Sequence, residues 1–297
     1  ETEMADISAK QVNELRQRTG VGMMTCKDAL VKTNGDMEAA VTLLREQGLA
    51  AADKKANRIA AEGAIAIATV GDATAMVEVN AETDFVAKNE KFVTFANTIA
   101  EIAAKENPAD LEALMAMEYP GFGGTVEDKR KDMILVIGEN INVRRFARME
   151  GACSSYIHDK GRIGVIVKFT EPASCGKFVA MQVASMAPKY LDRTQVPAED
   201  VEKETEIIVA QIKNDPKNAN KPENIIKERM VPGKLEKFYA ANCLVDQEYF
   251  IDDSKTVGKF VASEGSARIV DFVRYERGEG IQKREDNFAA DVASMIK

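Results

Sequence analysis

The chain has 297 residues, 45% of them apolar and 30% charged, with a formal net charge of -8. At about 100 to 200 residues per domain, that length predicts two or three domains, each with a small core. Acidic and basic residues are interspersed without a long single-sign block, which argues against direct nucleic-acid binding, where a basic face must neutralise phosphates.

Glu1, Thr2 and Glu3 precede Met4, and the sequence from Met4 reads as a natural start, so the first three are set aside. No basic segment followed by an apolar run opens the chain, which argues against a secretory signal. No run of about 18 apolar residues is present, so no membrane-spanning helix is expected. Cys26, Cys153, Cys175 and Cys243 are widely separated, without a Cys-x-x-Cys pair. With His158 as the single histidine, no metal site is expected, and so Cys-poor a chain fits a reducing cytoplasm.

Residues 4 to about 50 carry three short helix patterns. Ser8-Ala9-Lys10-Gln11 has the Ser-x-x-Gln form of a capping box, and Val12 and Leu15 supply the apolar side of the helix that follows. A second pattern starts at Thr25, runs through Ala29 and Leu30, and stops at Asn34-Gly35, a left-handed terminator. Asp36 then caps a third helix, which places Met37, Ala40, Val41 and Leu44 on one stripe and ends before Gly48. The Ala- and Lys-rich stretch from Leu49 to Glu62 reads as a linker with helical tendency.

From Gly63 the period changes. Ile65, Ile67 and Thr69 alternate with alanines, Gly71-Asp72 signals a turn, and Val77 and Val79 alternate again, which predicts a β-hairpin. A similar plan returns later, where Gly161 to Phe169 reads as a buried strand and Phe178, Val179, Val183 and Met186 lie along a following helix. Two related α+β halves with antiparallel sheets are therefore expected. Between them Tyr119-Pro-Gly-Phe-Gly-Gly124 reads as a turn, followed by a helix and by Ile137 to Arg145 leading into an alternating strand. The Gly-Lys pairs at Gly176, Gly233 and Gly258 lack the upstream glycine and the following hydroxyl of a phosphate loop, and no G-x-G-x-x-G follows a strand.

Residues 198–240 predict a protruding helical hairpin. Val201, Thr205, Ile208 and Ile212 recur at seam spacing, a polar loop from Asn214 to Asn224 contains Pro216 and Pro222, and a second helix follows. Pro232 falls inside that second pattern, where a proline removes a hydrogen bond and clashes with the preceding turn, so a kink or break is expected. The chain closes with a strand pattern at Ala267 to Tyr275, a turn at Gly278 and Gly280, and a terminal helix from about Asp286.

The most informative string is Thr83-Asp-Phe-Val-Ala-Lys-Asn89, at the junction of the hairpin and a long helix. Asp84 is placed to accept hydrogen bonds from the free N-H groups of that helix, which would hold Phe85 in one direction as a rigid wedge. The competing reading is structural, because Phe85, Phe92, Ile99 and Ala103 recur at helical spacing and Phe85 could be the first core residue of an amphipathic helix. A similar choice applies to Met23 and Met24, after the glycine-bearing turn Thr19 to Gly22. Their flexible apolar side chains suit either a partner surface or the filling of the three-helix core.

Thr83 to Asn89 resembles the signature segment of the bacterial elongation factor Ts family. Four further segments resemble that family in the same order: Arg16 to Met24, Ile137 to Arg145, Ser254 to Gly258 and Asp286 to Val292. The resemblance implies a ubiquitin-associated-like three-helix docking module over 4–55 and a two-part α+β core, 56–147 and then 148–197 with 241–277. It further implies a helical hairpin over 198–240, with a homodimer through it left open, and a short helical module over 278–297. It implies that Asp84 and Phe85 intrude beside the Mg²⁺ site of a GTPase, elongation factor Tu, and promote GDP release, with Thr83 and Val86 fixing their presentation. Arg16, Met23 and Met24 become a second contact, and the protein has no catalytic residue, metal or cofactor of its own. A passive or chaperone-like partner of the GTPase fits the same composition, whereas an enzyme would need a convergent titratable set that the chain does not offer.

Overall fold

The computed structural model describes residues 7–218 and 221–282. It opens with α1 (Ala9–Thr19), α2 (Met23–Lys32) and α3 (Met37–Lys55). The capping box forms as its residues dictate: Ser8 Oγ accepts the Gln11 N-H at 3.3 Å, and the Ser8 N-H donates to Gln11 Oε1 at 3.1 Å. Asn34 and Gly35 take φ of 51° and 82° and end the second helix, and Asp36 Oδ1 accepts the Ala39 N-H at 3.0 Å to start the third. Leu15, Cys26, Leu30, Ala40 and Leu44 fill the small core between them.

The hairpin follows as β1 (Glu62–Val70) and β2 (Ala73–Ala81). The chain then passes through a one-turn helix, α4 (Asp84–Ala87), a long α5 (Glu90–Glu106) and a short α6 (Leu111–Ala116). The two-residue strands β3 (Glu118–Tyr119) and β4 (Gly124–Thr125) flank the glycine-rich turn, and α7 (Val126–Ile137) leads into β5 (Asn142–Glu150). The first sheet is antiparallel, in the order β1-β2-β5. Phe92, Phe95, Ile99 and Ala103 of α5 are fully buried against it.

α3 does not end before Gly48. It continues to Lys55 because its second half lies against α7, where a Cβ on Gly48 would stand 3.3 Å from the Lys131 carbonyl oxygen. Gly48 thus permits a close helix-helix approach, and the packing gained there outweighs the roughly 1 kcal/mol that glycine costs inside a helix. Leu135 and Val136 of α7 also pack on the core of the first three helices.

The second half begins with β6 (Cys153–His158), β7 (Ile163–Phe169) and α8 (Gly176–Met186). The four apolar residues placed on this helix do lie in α8, with Val179 and Val183 buried and Phe178 and Met186 exposed. Next come α9 (Ala198–Asn214), α10 (Glu223–Ile225) and, after a π-helical turn at Ile226–Met230, α11 (Val231–Asn242). Ile208, Val209, Ile212, Ile226 and Val231 form the core of this pair. Pro232 does not break the second helix: the π turn precedes it, and the proline occupies the first turn of α11, where its missing N-H costs little. The last elements are β8 (Glu248–Tyr249), β9 (Asp252–Thr256), α12 (Val257–Glu264) and β10 (Ile269–Glu276). The second large sheet is antiparallel, in the order β10-β7-β6. The expected α+β organisation with antiparallel sheets therefore holds. The terminal helix expected from Asp286 lies outside the described residues.

The two sheets meet through Ile65, Met76 and Ile166. The buried carboxylate of Glu78 lies on the same strand as Met76. It accepts from Arg144 at 3.1 Å, Arg145 at 2.6 Å and the Gly278 N-H at 2.8 Å, and so ties β2 to β5 and to the turn after β10. Burial alone would raise its pKa, but the hydrogen bonds from Gly278, Asn80 and Arg145 bring it below the ordinary value. At Gly164 a Cβ would fall 2.5 Å from Ile65 Cγ2 and 2.6 Å from Met76 Sδ. Gly164→Val is therefore expected to destabilise the protein by about 1–3 kcal/mol through overpacking, read as a lowered urea midpoint at unchanged slope. An unchanged midpoint would show that the sheets do not approach closely at that residue.

Candidate functional site

β2 ends at Ala81, and the chain must turn before α5 can cover the sheet. A single carboxylate takes up the backbone donors of that turn. Glu139 Oε2 accepts the N-H groups of Glu82 and Thr83 at 3.1 and 3.0 Å, and Glu139 Oε1 accepts the Thr83 hydroxyl at 2.7 Å. The exchange is reciprocal, since Glu82 Oε1 accepts the Asn140 N-H at 2.6 Å. Asn140 Nδ2 in turn donates to the Arg58 carbonyl at 2.8 Å, which reaches the segment leaving α3. Hydrogen bonds to ionised acceptors contribute about 1.5–3 kcal/mol each, so the base of the turn is held firmly.

Thr83, and not Asp84, is the cap of α4. Thr83 has extended backbone at φ -127° and ψ 156°, and its Oγ1 accepts the Val86 N-H at 3.4 Å. Asp84 comes one residue too late to cap, and its Oδ2 instead lies 2.6 Å from Lys88 Nζ, one turn along. The hydrogen bond from the Lys88 ammonium holds the Asp84 carboxyl below the ordinary carboxylate range.

α4 lasts one turn because Asn89 is extended, at φ -71° and ψ 130°, and begins α5 with its own side chain, Oδ1 accepting the Lys91 N-H at 2.9 Å. This break decides between the two readings of the aromatic position. Phe92 and Ile99 belong to the core, whereas Phe85 is 82% exposed, more than any other large apolar side chain among the described residues. Val86 and Ala87 turn inward and are buried. α4 is thus a bracket with one side in the core and the other side carrying Asp84 and Phe85. Burying a phenylalanine side chain is worth about 1.5–3 kcal/mol, and this ring forgoes that stabilisation within its own chain.

The turn between α1 and α2 faces the same region. A Cβ on Gly20 would stand 3.1 Å from Nζ of Lys91, in the first turn of α5. Met23 and Met24, in the first turn of α2, are 49% and 67% exposed, and the small core of the three helices is closed without them. Arg16 is exposed on α1. A cleft of about 650 Å³ opens beside Asp84, with Ala87, Val93, Ile157, Lys160 and Arg277 among its walls. A larger cleft of about 930 Å³ lies at the far end of β1, near Val70 and Glu118. Phe85 lines neither of them, and its ring projects into solvent. Among the described residues, no group of three or more His, Cys, Asp or Glu could hold a metal ion, and no helix is long and apolar enough to cross a membrane.

Glu139, Glu82 and Asn140 were not legible as site residues. Glu139 and Asn140 fall in the segment Ile137 to Arg145, but no spacing rule joins a residue to a turn 56 positions away. The signal in hindsight is an acidic residue and an asparagine directly after the helix-ending Gly138, which has φ of 88°.

A family model described as elongation factor TS matches residues 82–279. Proteins named elongation factor Ts from Thioalkalivibrio sulfidiphilus and Methylococcus capsulatus are each 48% identical, over 98% of this chain and 99% of their own length. One of the same name from Magnetococcus marinus is 44% identical over the same shares of the two chains.

The Asp84–Lys88 pair yields a titration test. A depressed folded-state pKa means that the pair forms above the ordinary carboxyl pKa and is lost as pH falls through the lowered value. Lys88→Met is expected to raise the pKa of Asp84 toward the ordinary carboxylate value, read from the Cγ chemical shift of Asp84 by NMR. Identical titration in the variant and the parent would remove Lys88 as the cause.

Proposed function

The chain belongs to the elongation factor Ts family of translation elongation factors, and on that premise we propose that it is a guanine-nucleotide exchange factor for elongation factor Tu. In this reading it acts in the cytoplasm without covalent chemistry, by inserting Asp84 and Phe85 beside the Mg²⁺ site of the GTPase. Thr83 and Val86 fix the presentation of the pair, one from the cap and one from the core. Arg16, Met23 and Met24 add a second contact from the amino-terminal helices.

One observation carries this reading: an aromatic ring 82% exposed stands on a one-turn helix that is capped at its start and anchored in the core by its inner side. A nucleoside diphosphate is held by backbone N-H groups, a lysine and a bridging Mg²⁺. An apolar wedge that shifts one supporting helix of the GTPase therefore disturbs several of those contacts together. Burial of the ring in the partner supplies part of the driving force that its own fold leaves unused.

The energetics are those of linkage. If factor and nucleotide each bind the GTPase but bind worse together, the penalty acts equally on both. Each tenfold loss of nucleotide affinity takes about 1.4 kcal/mol, so a loosening of ~10³ to 10⁵ requires roughly 4 to 7 kcal/mol. One exposed ion pair supplies about 0 to 1 kcal/mol, so the wedge needs the wider contact that the amino-terminal turn provides.

Phe85→Ala is expected to lower the rate of GDP release at saturating factor by at least about tenfold, or about 1.4 kcal/mol. Binding to the GTPase should weaken far less. Stopped-flow release of a fluorescent GDP reads both quantities. A variant as fast as the parent would refute the wedge, and a parent that leaves the GDP off-rate unchanged would make this chain a passive partner.

A further inference from the structure

We propose that Glu139 is a positioning residue for nucleotide release: it holds the base of the turn at Thr83 so that Phe85 enters the partner as a fixed projection. This inference rests on the exchange reading above.

The argument begins with the backbone donors between β2 and α4. Sheet pairing of β2 ends at Ala81, opposite Glu62, and α4 starts at Asp84. The two N-H groups left between them, those of Glu82 and Thr83, both go to one oxygen of Glu139, while the other oxygen takes the Thr83 hydroxyl. The elements on either side are secured independently. β2 is paired on both edges, and α5 has its own cap at Asn89 and its own buried aromatics. The fold therefore has little need of this carboxylate, and the direction of the turn depends on it.

Phe85 has no packing of its own to set that direction, because its ring is in solvent. What aims it is the orientation of α4, set at the outer end by Val86 in the core and at the base by Glu139. Without the carboxylate, both N-H groups can bond to water and the base of the turn gains conformations that must be lost again when the ring inserts. Docking through the amino-terminal turn is untouched by that loss. Asn140 extends the hold, since its side chain donates to the carbonyls of Ala56 and Arg58 at 3.5 and 2.8 Å. The wedge and the chain leaving α3 are thus held by adjacent residues.

Glu139→Gln is the conservative variant. Its amide oxygen can still accept both N-H groups, and its amide nitrogen can donate to the Thr83 hydroxyl, which then acts as acceptor. Glu139→Ala removes all three acceptor contacts.

The test follows release of fluorescent GDP from elongation factor Tu as a function of factor concentration, with the full chain. Glu139→Ala is expected to lower the saturating rate about tenfold, by 1.4 kcal/mol on the usual conversion, while the half-saturating concentration changes less than about threefold. Glu139→Gln should recover the saturating rate to within about threefold of the parent. Glu139→Leu, which keeps most of the side-chain volume and removes both acceptor oxygens while leaving the Thr83 cap intact, should lower the saturating rate in the same way, and it answers the question if Glu139→Ala does not fold. A saturating rate equal to the parent's in whichever of these two variants folds would overturn the proposal, as would a change confined to half-saturation. Phe85→Ala, run in parallel, separates the two claims. If it releases GDP as fast as the parent, the wedge itself is wrong; if it is slow while Glu139→Ala is fast, only the positioning role fails.

Discussion

One carboxylate, with an oxygen turned to two backbone N-H groups, sets the conformation on which this site is built. The hydrogen bonds from Glu82 and Thr83 to Glu139 satisfy donors that neither sheet nor helix can reach. Once they are satisfied there, Thr83 is extended and its hydroxyl caps α4. The one-turn helix then points Val86 inward and Phe85 outward. The exposure of the ring follows from this split of α4, together with the extended backbone of Asn89 that separates Phe85 from α5.

The remainder of the molecule behaves as a frame for that turn. The two sheets are pressed together at Gly164, and the buried Glu78 is held by Arg144 and Arg145 of the neighbouring strand and by the Gly278 N-H after β10, so β2, which delivers the chain to Thr83, is gripped along its length. The amino-terminal helices are packed on α7 through Gly48, and α7 ends just before Glu139. The same helix thus supports the amino-terminal helices on one side and precedes Glu139 on the other. A rigid connection of this kind suits an exchange mechanism, in which binding energy at one contact must be spent on distortion at another.

Much of this was legible in the sequence, for identifiable reasons. Ser8 with Gln11, Asn34-Gly35, Asp36 and Gly71-Asp72 are local signals whose chemistry acts within four residues, and each does what its residue types dictate. The departures involve either contacts distant in sequence or a neighbouring residue that takes the role first. The third helix runs past Gly48 because α7 covers it. Pro232 is absorbed by a π turn, an adjustment that no propensity scale weighs. The pattern at Phe85 was ambiguous because Phe92 and Ile99 do lie at multiples of seven from it, and only the extended backbone of Asn89 removes Phe85 from their helix. Asp84 is a good capping residue by type, yet Thr83 precedes it and takes the position. Glu139 could not be found by any local rule, since its partners lie 56 and 57 residues away.

The central claim is that Phe85 carries the energetic coupling between this chain and the nucleotide on the GTPase. It is tested most directly by measuring the affinity of the factor for nucleotide-free and for GDP-loaded elongation factor Tu, with the parent chain and with Phe85→Ala. The account predicts that the parent strongly prefers the nucleotide-free form and that the ratio of the two affinities falls by tenfold or more in the variant, about 1.4 kcal/mol of coupling. A ratio that is the same in both chains would contradict it.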